Sequence, residues 1–571
     1  MGLVDDFFEA GVLNNLEVEF ARMLERCMNY EDDIALLMSA LACRAPRVGD
    51  ICIDVENIDR TVMPETDRNL AWPPVEERLR AVKSAPFISA NDDGKELPLR
   101  LEDNRLYLYR YYEDEVRLAQ RVLEMASQPS PSIASKLNSV DANNSDVKNA
   151  CAVLSSSSLA IITGGPGTGK TTLASKLIAQ FIENGVDPQE IWAVAPTGRA
   201  SARLGETLGI ELRSKYGSVN LGDANIKVAT IHSAFGIHPD SPFKARFNEE
   251  NEAPVRVLAM DEASMVDLVT MTRVFEALPK DCVVLLLGDP DQLASVEAGS
   301  VLRDLCNAMS LRSVHMTLRK RHRFQGSVAI AELADRVHNI DKDENFAGVI
   351  SLLRQGGNDS VHYDDCSSSD WLDRVVDMAV QNYKEVIGHA LDGNISKATL
   401  VPSKFRLLSA LRKGKYGCEA LNAMIKEKVF AGRQEWFPGR VIMVVANDPV
   451  KGLFNGDVGV AVRIDGRIKV AFPSYGSSDR QRLFDPSFLP DFEDAFATTI
   501  HKAQGSEADE VMLVFPPEDS PILSREILYT GITRAKRRLW VFARQDVLFQ
   551  CLQRTTRRAS GLAKKLDMPC V

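Results

Sequence analysis

The 571-residue chain has no uninterrupted apolar run of about 18 residues, so no membrane-spanning helix is expected. Its opening stretch, MGLVDDFFEAGVL, is acidic and lacks the basic segment of a secretory signal. The ten cysteines are scattered, with no C-x-x-C pair and no Cys/His cluster at zinc spacing. That usage suits a reducing cytoplasm and gives no sign of a structural metal. Repeats of solenoid period are also missing. So is an excess of basic residues: the net charge is −11. The deficit is unevenly placed. Residues 1–127 hold 26 acidic and 15 basic side chains, and the rest of the chain holds 53 of each. An acidic N-terminal region is a poor surface for DNA phosphates and a better one for a protein partner, although solubility alone would explain the charge equally well.

What is present is a phosphate-binding loop. GGPGTGKTT (Gly164–Thr172) fits G-x-x-x-x-G-K-[ST] at every fixed position. A short apolar run, SSLAII, precedes it, and Leu173, Ala174, Leu177, Ile178, Phe181 and Ile182 follow at helical spacing. Strand, glycine-rich turn and helix together aim backbone N–H groups and a helix N-terminus at phosphate. Gly164, Gly165, Gly167, Thr168, Gly169 and Thr172 form the cradle. Lys170 reaches the β and γ phosphates, and Thr171 is a ligand for Mg²⁺.

Three further stations follow. VRVLAMDEA is an apolar strand that delivers Asp261 and Glu262 at its C-terminal end, one for Mg²⁺ and one as general base for a water. LLLGDPDQLASV brings Gln292 to a strand end, where it can sense a γ-phosphate. Two arginines, Arg323 in LRKRHRF and Arg534 in LYTGITRAKRRL, come from a second α/β region and could place positive charge on the same phosphate.

The chain divides on these patterns. Residues 1–127 read as mostly helical, and 128–146, rich in Ser, Asn and Pro, as a linker. Buried-type strands alternating with helices over 147–310 form a doubly wound α/β domain, with a small insertion near 236–254. A second α/β domain covers 311–428 and 491–571. Between its parts, 429–490 alternates as a small all-β, barrel-like insertion.

In order, GGPGTGKTT, APTGRASARL, ATIHSAFG, MDEASM, GDPDQLASVEAGSVL, RHRF, FATTIHKAQGSEADEV and LYTGITRAKRRL resemble the motifs of superfamily 1 helicases, from about Cys151 to Leu562. Within that superfamily, GDPDQLASVEAG, GLFNGDVGV, TIHKAQGSE, NRLYLYRYYEDEVRLAQ and RRASGLA resemble the RecD family, the α subunits of exodeoxyribonuclease V in the bacterial RecBCD complex. The resemblance implies two RecA-like domains and an ATP-driven motor moving 5′ to 3′ on single-stranded DNA. Lys170, Thr171, Asp261, Glu262, Gln292, Arg323 and Arg534 match the family's nucleotide-site positions. Thr197, His232, His501, Lys502 and Gln504 lie in motifs that line the DNA groove or couple it to ATP. RecB-like and RecC-like subunits are implied as partners, duplex-end DNA as substrate and the cytoplasm as location. The family often has an adenine-reading Gln some 17 residues before the P-loop; Val147 stands there in this chain. A nuclease site, a carboxylate cluster followed by a lysine, is not found outside the helicase motifs, so cleavage falls to a partner. Two alternatives are a stand-alone RecD-like helicase, whose longer N-terminal region the first 127 residues do not match, and a nucleotide-bound scaffold, which need not keep Glu262.

Overall fold

The computed structural model describes residues 2–62, 70–90, 96–128, 145–216, 225–238, 241–319, 328–340, 344–355, 360–430, 435–448, 450–473, 482–556 and 558–568. Four sheets organise them. Two are wholly parallel and carry the site.

The first parallel sheet has six strands, in the order His315–Thr317, Leu159–Thr163, Val283–Gly288, Val257–Met260, Ile191–Ala195, Lys227–Thr230. Every residue of its four central strands is buried, as expected for strands covered on both faces by helices. The register sets Thr163 against Gly288 and Met260 against Leu286, so the C-terminal strand ends share one edge. The strand His315–Thr317 pairs with Ile161–Thr163, which carries the first α/β domain past the expected boundary at 310.

The second parallel sheet runs Val361–Asp364, Ala535–Phe542, Ala508–Val514, Phe405–Ser409, Ala497–Thr499. The all-β insertion is a five-stranded antiparallel sheet in the order Arg482–Phe484, Arg467–Phe472, Val458–Ile464, Val441–Val444, Phe492–Asp494. Its last strand lies beyond the expected limit at 490. Among the described residues its two edge strands are not paired with each other, so the sheet is open where a barrel was expected.

The N-terminal region is mostly helical, and its helices begin on local signals. Asn14 caps the helix Asn15–Met28, accepting from the N–H groups of Leu16 and Glu17 while Glu17 reaches back to the Asn14 N–H, a capping box. The region also holds a short four-stranded sheet that the sequence reading did not separate out. Phe7, Leu37, Phe87, Leu99 and Leu106 form a core of its own.

Two segments belong elsewhere than the sequence placed them. On the sequence pattern the helix Tyr109–Ser127 falls within the N-terminal module. Its Leu118, Val122 and Met125 are instead buried in the core of the first α/β domain, against the helix Leu268–Glu276. Asp114 pairs with Arg273, and Arg121 Nη2 donates to the carbonyls of Leu278 (2.9 Å) and Pro279 (3.1 Å). The chain's last helix, Leu562–Asp567, was assigned to the second domain. Leu562 and Leu566 join that same first-domain core. In both cases the apolar face was visible in the sequence, but its partner was not. Most of the expected linker lies outside the described residues; its end, Ser145–Asp146, opens the helix Ser145–Ser156.

Candidate functional site

The phosphate loop joins the strand Leu159–Thr163 to the helix Lys170–Glu183. Gly167 (φ +78°) and Gly169 (φ +90°) take left-handed conformations that few other residues adopt. At Gly164 a Cβ would come within 2.8 Å of the Leu318 carbonyl oxygen, so the close turn needs glycine. Thr168 Oγ1 donates to the Gly165 carbonyl (2.9 Å). Lys170 folds back over the loop, its Nζ donating to the carbonyls of Gly164 (2.6 Å) and Gly165 (3.2 Å). The ammonium therefore sits where a bound phosphate oxygen could replace these carbonyls.

Next to the loop, Thr171 Oγ1 donates to Asp261 Oδ2 at 2.7 Å. These two hard oxygen donors suit Mg²⁺, which takes one or two protein ligands and completes its shell with phosphate and water. Glu262 follows with φ +54°, a strained conformation for a residue with a side chain and one that recurs at active sites. Burial raises its carboxyl pKa, and Asp261 adds to the rise; Arg534, Lys170 and Arg203 oppose it. The adjacent acids are thus unequal: Asp261 is tied to Thr171, while Glu262 is poised to take a proton.

The cleft, roughly 140 Å³, is closed from the other side by the second sheet. The first sheet presents its C-terminal strand ends. The second presents the segments just before its strands, Gly505–Glu507 and Arg534. Arg534 is 2 % exposed. Its Nη2 donates to Gln292 Oε1 (3.0 Å) and Thr533 Oγ1 (3.2 Å), its Nη1 to the Ser506 carbonyl (3.3 Å) and its Nε to the Thr530 carbonyl (3.0 Å). Gln292 donates in turn to Asp289 Oδ2 (2.9 Å), which also accepts from the Tyr529 hydroxyl (3.2 Å). The Leu293 N–H donates to Thr530 Oγ1 (3.1 Å). One hydrogen-bonded seam thereby joins the two α/β domains beside the phosphate loop.

Arg203 and Glu507 also line the cleft, pair across it at 3.3 Å and were missed in the sequence. A signal was available: Ala200, Arg203 and Thr207, at spacings of three and four on the helix Gly198–Tyr216, share the face that lines the cleft. Val147, at the adenine-reading position, is buried in the helix before the P-loop strand.

The expected DNA residues lie on three segments. Thr197 caps the turn before Gly198, its Oγ1 accepting from the Ala200 N–H (3.2 Å). His232 is in the helix Ile231–Phe235 at the edge of the first sheet; burial lowers its pKa, which Asp267 partly offsets. His501, also lowered by burial, shares a turn with Lys502, whose Nζ donates to Glu493 at 2.6 Å. Gln504 is 8 % exposed and donates to the Leu293 carbonyl (2.8 Å), which places its amide on the seam between the two domains; of its two expected roles, groove lining or coupling to ATP, this position bears on the second. Arg323 lies outside the described residues. No helix among the described residues is long and apolar enough to cross a membrane.

Two parallel sheets sharing one phosphate loop, with the arginine supplied by the second, define a two-domain P-loop nucleotide-binding protein. Family models agree along the chain: an AAA domain matches residues 142–356 and the UvrD-like helicase C-terminal domain 494–542. The N-terminal domain of RecBCD enzyme subunit RecD matches 9–107. RecBCD enzyme subunit RecD of Mycolicibacterium smegmatis is 33 % identical, covering 99 % of both chains. The ATP-dependent RecD2 DNA helicase of Deinococcus radiodurans is 28 % identical over 67 % of this chain but only 46 % of its own length. Among solved structures, Pif1 helicase from Bacteroides in complex with ADP-AlF3 and ssDNA covers 70 % of this chain and 92 % of its own, at 17 % identity and a TM-score of 0.38. The chain belongs to the RecD family.

Proposed function

We propose that this chain is the 5′-to-3′ single-stranded DNA motor of a RecBCD-type helicase-nuclease acting at duplex ends in double-strand-break repair, driven by ATP hydrolysis and held by RecB-like and RecC-like partners. The observation that carries the motor reading is the bond from Arg534, in the second domain, to Gln292, in the first, beside a complete phosphate loop. A cleft built from both domains links their separation to the state of the nucleotide.

The roles follow from position. Lys170 and the N–H groups of the loop hold the β and γ phosphates. Thr171 and Asp261 hold Mg²⁺, which when bound neutralises charge on the phosphate oxygens. Glu262, its pKa raised, takes the proton from the attacking water. Arg534 and Arg203 stabilise the charge that develops on the transferred phosphoryl group. Gln292 reports the γ-phosphate to Asp289, Tyr529 and Thr530, and so to the second domain. Thr197, His232, His501 and Lys502 face DNA, in a motor core with equal numbers of acidic and basic residues outside the first 127.

The subunit reading is favoured over a stand-alone helicase by the N-terminal module, whose residues 9–107 match the RecD N-terminal domain. An acidic module with its own core is suited to docking on a protein partner. The test is ATP hydrolysis measured with and without single-stranded DNA. Strong stimulation supports a motor; equal rates would leave a nucleotide-bound scaffold.

A further inference from the structure

The basic stretch near the C-terminus reads in the sequence as a DNA contact or a solvated tail. The structure gives it a different place. Beyond the helix Gln545–Gln553 the chain leaves the second domain and crosses to the first. The Thr556 N–H donates to Glu526 Oε2 (3.0 Å), and its carbonyl accepts from Arg303 (2.9 Å). Arg558 then places its guanidinium under the loop that runs from Gln292 to Ser300. Its Nη1 donates to Ser295 Oγ (3.1 Å) and to the carbonyls of Glu297 (2.5 Å) and Gly299 (2.8 Å), and its Nη2 to the Ser295 carbonyl (2.5 Å).

The same guanidinium lies against the N-terminal module, where a Cβ at Gly49 would meet its Cζ at 2.9 Å. Around it the backbones are tied. Gly299 N–H donates to the Gly49 carbonyl (2.9 Å), Ile51 N–H to the Ala559 carbonyl (2.8 Å), and Ala559 N–H to Asp50 Oδ1 (2.8 Å). Further on, Lys565, 5 % exposed, pairs with Glu115 and Glu102.

We propose that Arg558 is a positioning residue for ATP hydrolysis: it holds from behind the loop that carries Gln292, and ties that loop to the N-terminal module. The proposal rests on the reading that Gln292 belongs to the nucleotide site. The physical case is one of donors and acceptors. From Asp289 to Ser300 the backbone is in neither helix nor strand, so its carbonyls have no regular ladder partner. One planar guanidinium reaches three of them; two, at Glu297 and Gly299, also accept from the Ser295 hydroxyl (2.8 and 2.9 Å), so Arg558 and Ser295 together fold the loop about one point. A lysine ammonium has one nitrogen where the guanidinium uses two, so it cannot also hold the Ser295 carbonyl that Nη2 serves. With the support removed, Gln292 loses its fixed distance to Arg534, and a misplacement of about 1 Å costs up to about 10²-fold in rate.

The test uses the full-length protein and steady-state ATP hydrolysis at saturating single-stranded DNA, on Arg558→Ala, Arg558→Lys, Gln292→Ala and the Gln292→Ala/Arg558→Ala double variant. Both Arg558 variants are expected to lower kcat by about tenfold or more, with KM for ATP within about twofold of the parent. The double variant should be no slower than Gln292→Ala alone, because both changes act through one loop. The lysine variant keeps charge and bulk, so it carries the test even if the alanine variant fails to fold. Wild-type kcat in Arg558→Lys overturns the proposal. So does an effect confined to KM or to thermal stability, or multiplicative losses in the double variant. If Gln292→Ala alone leaves turnover unchanged, the reading of Gln292 falls, and the proposal with it.

Discussion

A chain beginning at Asn138 should not fold into a working motor, although the composition of the sequence suggests a clean cut there. The cut removes the helix Tyr109–Ser127, whose Leu118, Val122 and Met125 are fully buried in the first motor domain. Burying each such side chain contributes about 1.5–3 kcal/mol, so the three together account for roughly 5–9 kcal/mol, an upper estimate. That is comparable to the whole stability of an ordinary domain, about 5–15 kcal/mol. The cut also leaves Arg273 without Asp114, and Lys565 without Glu115 and Glu102. The assay is thermal unfolding and DNA-stimulated ATP hydrolysis of the truncated and full chains, with Leu118→Ala in the full chain as an internal scale. The point variant should lose about 2–5 kcal/mol and still melt cooperatively. The truncated chain should be insoluble or melt without a cooperative transition. Wild-type melting and turnover in the truncated chain would show that the helix is a dispensable part of the N-terminal module.

Glu262→Gln should bind ATP and DNA yet hydrolyse slower by a factor on the order of 10² or more; loss of ATP binding would make it a binding residue instead. Because the Glu262 pKa is raised and the base must be ionised, parent turnover should fall on acidification at a higher pH than for an ordinary carboxylate, and the variant should lack that limb. Arg534→Ala should change ATP affinity modestly while DNA-stimulated turnover drops by roughly 10³-fold or more; unchanged stimulated turnover would remove it from the site. Asp304 is pushed up to about 7 by burial, assisted by Glu115 and opposed by Ser560 and Arg303. Folded Asp304 therefore keeps a proton that the unfolded chain has released above about pH 4, so its contribution is full at low pH and is lost as pH rises through about 7. Asp304→Asn should gain in melting temperature relative to the parent between pH 5 and pH 8, and a pH-independent difference would refute the assignment.

The parts of the site legible in the sequence are those whose geometry is local. Gly164 to Thr172 encode a turn and a helix start by themselves, and Asp261 and Glu262 follow an apolar strand that any parallel sheet places at its binding edge. Arg534 was legible only as a motif residue. Its partner Gln292 is 242 positions away, and no spacing encodes that bond. Gln504 was likewise legible only as a motif residue, and its bond to the Leu293 carbonyl, 211 positions away, is encoded by no spacing. The helices Tyr109–Ser127 and Leu562–Asp567 show an apolar face, but a face names no partner, and both had been grouped with their neighbours in sequence. Arg558 lies in RRASGLA, legible for its charge and its family resemblance but not for its contacts, because the acceptors it serves lie on a loop more than 250 residues earlier.

The central claim, an ATP-driven motor with a fixed direction, is tested most directly by strand displacement on two otherwise identical duplexes, one with a 5′ and one with a 3′ single-stranded overhang. The account predicts ATP-dependent unwinding of the 5′-overhang duplex and none of the other. Preferential unwinding from the 3′ overhang, or displacement that proceeds without ATP, would contradict it.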